Sequence, residues 1–268
     1  MRYMLSIIIL SSIIFTSCLF AKTACIIVHG TWAKHEKWYQ PGGDFFEVVK
    51  ALALGMYDEI IPFSWSGKNK AQDRFQAGKD LAVLIEKYDS VVLIAHSHGA
   101  NVGIIASHFI AQNQECKKYK IEKFYALGVP VKTDLYPMMH VIRNFYNMFS
   151  FSDKVQRVLG FFDRIFVHHP RIANLALVLD NKAPSHSQLH HKEIGRWLLF
   201  IHEHLWKYNK GRFGVFAFHK PGIIRFYTNQ QDPEYMYDYK REELLKKDVA
   251  LMNMCIKKLA SFYTPKFS

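Results

Sequence analysis

Cysteine is scarce in this chain: four in 268 residues, Cys18, Cys25, Cys116 and Cys255. None forms a CxxC pair or falls at metal-ligand spacing, which argues against a zinc ribbon and a thioredoxin-type redox motif. If Cys18 leaves with a cleaved leader the count is odd, against a disulfide-built fold; one bridge among the other three stays open. The fourteen histidines contain no H-E-x-x-H, and "HEH" at His202 to His204 puts its two imidazoles on different helix faces, so no metal is expected. No zinc knuckle, helix-turn-helix or aromatic RNA-binding signature is present, and no nucleic-acid partner is expected. Internal repeats and low-complexity segments are also absent.

Acids are in deficit, 23 against 35 Lys and Arg, for a formal charge of +12. The basic residues are dispersed, and the densest cluster, "REELLKKD" with "IKKL", alternates with acids at helical spacing as a solvated helix face does. The expected partner of such a surface is an anionic membrane. Long apolar runs are missing except at the start, where Arg2 precedes an apolar stretch from Leu5 to Phe15, too short to span a bilayer comfortably. That is the form of a secretory signal peptide over 1–21, cleaved after Ala21 to leave Lys22, and it predicts export. "FTSC" also resembles a lipoprotein box, so lipidation of Cys18 is the rival, and an uncleaved anchor or buried N-terminal strand a third case.

What remains is half apolar by count and long enough for one large domain with a small appendage. "TACIIVHG", "EIIPFSW", "SVVLIA", "IEKFYALGVP", "VIRNFYNMFS" and "RIANLALVLD" read as strands. "GDFFEVVKALALG", "AQDRFQAGKDLAVLIEKY" and "GANVGIIASHFIAQN" read as helices between them, the second with Phe75, Leu81, Leu84 and Ile85 on its apolar stripe. "HHKEIGRWLLFIHEHLWKY" reads as a closing amphipathic helix. The alternation predicts an α/β fold: a mostly parallel sheet with helices on both faces over 22–208. From 209 to 268 the style changes to a hairpin around His219 to Gly222 and a helix from Arg241 to Ala260, a small C-terminal α+β appendage.

The chemistry-bearing stretch is "AHSHGAN", Ala95 to Asn101, where a buried strand gives way to small residues. It is the G-x-S-x-G nucleophile elbow with Ala95 at the first glycine, and it makes Ser97 the candidate nucleophile. A serine hydroxyl needs a base, and the base an orienting acid. Asp153 follows one later strand and His186 the last, so the order Ser97, Asp153, His186 is the order this elbow architecture requires. Asp134 and Asp180 are alternative acids, and His190 and His191 alternative bases; His96 reads as a packing or hydrogen-bonding residue. "VHGTW" offers the Thr31 N–H, with that of His98, as an oxyanion hole.

With these motifs the chain, from about Ala24 to Tyr208, resembles the α/β-hydrolase superfamily, and within it the lipase and esterase branches with "HG" in the first loop. The resemblance implies a serine hydrolase that needs no cofactor. Its expected reaction is hydrolysis of an ester, of a lipid or another small apolar acyl substrate, through an acyl-enzyme. "FYNMFSF" and "FFDRIF" around the acid loop point weakly to the apolar acyl group. An amidase or peptidase shares the same three residues, and a non-catalytic scaffold that binds a ligand or partner is the reading from another class.

Overall fold

The computed structural model describes residues 21–112, 119–155, 165–166, 169–203, 222–229 and 232–236. Strand β1 (Thr23–Val28) leads through α1 (Asp44–Ala53) to β2 (Glu59–Phe63), and α2 (Ala71–Glu86) to β3 (Ser90–His96). Then come α3 (His98–Gln112), β4 (Ile121–Leu127), β5 (Ile142–Phe149) and β6 (Ile172–Leu179). A 3-10 turn (Ser187–His190), α4 (Lys192–Leu198), β7 (Gly222–Phe226) and β8 (Glu234–Met236) complete the order. The sheet runs β2-β1-β3-β4-β5-β6-β7-β8, parallel through β7 and antiparallel at β8.

The continuous apolar runs follow from burial on both faces. Along β3, Val91, Leu93 and Ala95 enter one core while Val92 and Ile94 enter the other. Alternate side chains of a strand point to opposite faces, so a strand covered on both sides is written mainly in apolar residues, a buried polar one such as Asn147 pairing with Asn174. Helices α2 and α3 cover the first face with Leu81, Ile85, Val102 and Ile104, and α1 and α4 the second with Phe45, Val49, Ile194 and Leu198. Each fully buried Ile, Leu or Val contributes about 1.5–3 kcal/mol relative to exposure. Pro62, paired with Ile27, is tolerated because among the described residues β2 is an edge strand with no neighbour beyond it. Strand order, parallel pairing and helices on both faces are those of an α/β-hydrolase fold.

Three expectations need revision. Phe75 does not join the apolar stripe of α2; it is 57% exposed against Phe109, and Arg74, Ala77 and Gly78 take the inward positions. The closing helix is shorter than its periodicity suggests: α4 spans seven residues, and a turn at Leu199 and Phe200 separates it from 201–203. Residues 222–226, read as the second arm of an appendage hairpin, pair in parallel with β6 and extend the main sheet. The first arm of that hairpin, the helix from Arg241 to Ala260, the leader, Cys18, Cys116 and Cys255 lie outside the described residues. Cys25 is a free, fully buried thiol whose pKa is pushed up to about 12 by burial.

Candidate active site

Strand β3 ends at His96, and Ser97 takes a φ of 54°, the left-handed region that a residue with a Cβ enters only at a cost of roughly 1–3 kcal/mol. The Ser97 N–H donates to the Leu127 carbonyl at the end of β4, 2.8 Å away, and α3 begins at the next residue. Small neighbours are required on every side. A Cβ on Gly99 would stand 2.3 Å from the His29 carbonyl oxygen, and one on Gly30 would stand 2.8 Å from Ser97 Cβ. Ala95, in place of the motif's first glycine, is fully buried opposite Val28 and fits without distortion.

Asp153 lies in the turn after β5 and His186 in the loop after β6. The Nδ1–H of His186 donates to Asp153 Oδ2 at 2.7 Å, with the carboxylate wholly buried and the imidazole 18% exposed. This bond fixes the tautomer and leaves Nε2 with the free lone pair. Gly128 locates the pair beside the elbow: it follows Leu127, which holds Ser97, and a Cβ on it would lie 3.1 Å from Asp153 Oδ2 and 3.3 Å from His186 Cε1. Among the described residues no hydrogen bond joins Ser97 Oγ to His186, a separation common in unliganded sites that tightens with substrate.

The alternatives fall elsewhere. Asp134 is exposed and away from any imidazole bond. Asp180 caps a turn, its carboxylate accepting from the N–H and the hydroxyl of Thr228 at 2.9 and 2.8 Å. His190 stacks on Trp38 with ring centroids 4.3 Å apart, and His191 caps α4 by accepting from the Glu193 N–H. Phe145, Phe149 and Phe166, from the aromatic runs near the acid, are core residues rather than an open acyl wall.

Several supports carry no motif signature. His96 donates Nε2–H to the backbone carbonyl of His186 at 3.0 Å, while its Nδ1 has no partner. Ser150 donates to the Pro184 carbonyl, joining the acid loop to the base loop. His29 donates Nδ1–H to the Gly30 carbonyl at 2.7 Å, accepts from the Trp65 N–H at 3.1 Å, and its own carbonyl accepts from the Trp65 indole at 2.8 Å. A trans peptide sends N–H opposite to C=O, so the bond to Gly30 turns the Thr31 N–H away from His29. Neither the Thr31 N–H nor the His98 N–H donates to any atom of the described residues, and His98 opens α3, where the helix dipole is positive. The hydroxyl of Thr31 is buried and unpartnered.

Burial keeps the surrounding imidazoles neutral. It drives His96 well below its ordinary value, with His186 and His190 adding to the effect. It lowers His190 to about 4 and His98 to about 3, the latter helped by Arg74 and Lys132. Although three of these rings crowd together, among the described residues no group of three potential ligands is set to hold a metal ion. A depression of about 670 Å³ lined by Glu122, Lys123, Arg143, Arg171 and His202 lies at the opposite, amino edge of the sheet. Lys123 is paired there with Glu203 and Arg143 with Glu122, so it does not compete as the site.

No protein family matches the chain, and no curated protein matches it in sequence. Solved structures do. A putative hydrolase of the alpha/beta superfamily from Xanthomonas campestris pv. campestris is 11% identical, over 67% of this chain and 98% of that one, with a TM-score of 0.41. Alpha/beta hydrolase domain-containing protein 10 from mouse is 15% identical, over 70% and 90%, with a TM-score of 0.40. A cutinase-like protein from Cryptococcus sp. is 14% identical over 41% of this chain, which spans about half, 54%, of that protein, with a TM-score of 0.30. At such distances the assignment of fold rests on the strand order and pairing of this chain itself.

Proposed function

We propose that the chain is a serine hydrolase in which Ser97 is the nucleophile, His186 the general base and Asp153 the group that orients it. The observation that carries this reading is the buried Asp153–His186 pair set beside a serine held in the left-handed region. His186 Nε2 takes the Ser97 proton as Oγ attacks the acyl carbon, and the oxygen that becomes negative is met by the N–H groups of Thr31 and His98. The unpartnered Thr31 hydroxyl is a further donor at the same place. The imidazolium, steadied by Asp153, returns its proton to the leaving alcohol, and water repeats the sequence on the acyl-serine. The substrate class we propose is a carboxylic ester, cleaved without a cofactor, and turnover across graded chain lengths reads whether its acyl group is apolar.

The test is covalent labelling by a fluorophosphonate, then turnover of p-nitrophenyl esters of graded chain length. Labelling of the folded protein and its loss in Ser97→Ala are expected. A folded wild-type protein that takes no label overturns the reading in favour of a binding scaffold, and turnover of amides in preference to esters moves it to the amidases.

A further inference from the structure

Next to Thr31 stands the most exposed large apolar side chain among the described residues. Trp32 is 79% exposed, and its φ of 60° is one that an aromatic residue rarely adopts. The conformation is not slack: the Trp32 N–H donates to the Gly67 carbonyl at 2.8 Å, which clasps the loop after β1 to the loop after β2. A strained backbone that holds an indole out into water has no packing purpose, since burying the ring would be favourable.

The same two loops carry an excess of one charge. "TWAKHEKWYQPGG" and "SWSGKNK" contain Lys34, Lys37, Lys68 and Lys70 against a single acid, Glu36. All four lysines are exposed, and among the described residues none is in an ion pair. Asp73, just beyond the second loop, accepts from the Ser66 hydroxyl at 2.7 Å. An exposed indole on clasped loops that also carry these four lysines complements an interface that is anionic outside and apolar a few ångströms below. A polyanion without bases, such as a sulfated glycan, would use the lysines but gain nothing from the indole, and the even basic dispersal of the sequence gives no track for a nucleic-acid strand.

We propose that these two clasped loops seat the protein on an anionic lipid surface, with Trp32 entering the headgroup layer and Lys34, Lys37, Lys68 and Lys70 facing the lipid charges. The docking stands without catalysis. Its consequence for substrate, that an ester held in the lipid layer meets the site at Thr31 and Ser97, rests on the proposed serine chemistry.

The experiment is partitioning of the full chain onto vesicles of phosphatidylglycerol and phosphatidylcholine, against phosphatidylcholine alone, at low and high salt. Trp32→Asn removes the ring while keeping a residue that tolerates a positive φ, and Lys68→Gln with Lys70→Gln removes charge. All variants share one N-terminus, so any anchoring there cancels in the comparison. Expected are partitioning to the anionic vesicles that weakens with salt, a loss of roughly tenfold in Trp32→Asn, and about fivefold per lysine removed. Brominated lipid should quench wild-type tryptophan emission more strongly than that of Trp32→Asn, the other four tryptophans being common to both. Unchanged partitioning in both variants, or equal partitioning to neutral vesicles, overturns the proposal. Capture on heparin that ignores Trp32, with no binding to anionic vesicles, reassigns the loops to a polyanion. Fluorophosphonate labelling is read separately, so failure of docking and failure of the serine chemistry are distinguishable.

Discussion

The ring of His96 donates its Nε2–H to the backbone carbonyl of His186, 3.0 Å away across ninety residues of sequence. The elbow that carries Ser97, the proposed nucleophile, is thereby fastened to the loop that carries His186, the proposed base. His96→Phe fills much the same space without a donor, and losing one such bond costs about 1 kcal/mol. Turnover is expected to fall about fivefold to tenfold with KM little changed, because the base is displaced and the binding surface is not. His96→Gln, which retains an N–H, should recover part of the loss. A parallel change in KM would assign His96 to binding instead.

Strain at Ser97 makes activity and stability separable. Ser97→Ala and Ser97→Gly both remove the proposed nucleophile, but only glycine adopts a φ of 54° without cost. Ser97→Gly is expected to be about 1 kcal/mol more stable than Ser97→Ala in urea denaturation. Equal midpoints would mean that the elbow is not strained.

Asp153→Asn keeps the shape of the buried side chain but removes the charge that steadies the imidazolium. Turnover should fall by about 10⁴-fold, while Asp134→Asn, at an exposed position, should behave as wild type. Ester assays on the two variants decide, and loss of activity in Asp134→Asn instead would move the acid.

Acid should unfold the protein through its buried imidazoles. His190 is held down to about 4 and His98 to about 3, while in the unfolded chain each returns to about 6.5. Below pH 6.5 the unfolded state therefore binds protons that the folded state refuses, and stability drops as pH falls, for His190 until about pH 4 and for His98 until about pH 3. Each such group contributes a slope of up to about 1.4 kcal/mol per pH unit. Urea midpoints at pH 7, 5.5 and 4.5 should decline steadily, and less so in His190→Gln; flat midpoints would contradict the assignment.

The layered sheet was legible because a strand buried on both faces favours a continuous apolar run, as Val91 to Ala95 shows. The elbow was legible because close approach of strand and helix admits only small residues around Ser97. The supports were not. His29 with Trp65, Ser150 with Pro184 and His96 with the His186 carbonyl join side chains to backbone groups far away in sequence, and no local pattern records them. Strand β7 was misplaced for a similar reason: Pro221 and Gly222 signal a turn locally, whereas its pairing with β6 is set some fifty residues earlier. Phe75 falls on the helical period of α2, but Gly78 lets that helix press so closely on α3 that the inward face has no room for a phenyl ring.

Asp180, at the mouth of the loop that leads to His186, is held by Thr228, which follows β7. The order of synthesis therefore matters. A nascent chain that has emerged as far as His186 already contains Ser97, Asp153 and His186 and the bonds from Ser150 and His96 to the His186 loop, yet the start of that loop lacks its hold on Thr228 until some forty more residues have left the ribosome. A chain stopped before Gly222 lacks that hold, and among the described residues it leaves β6 with an unpaired edge that invites pairing with other chains.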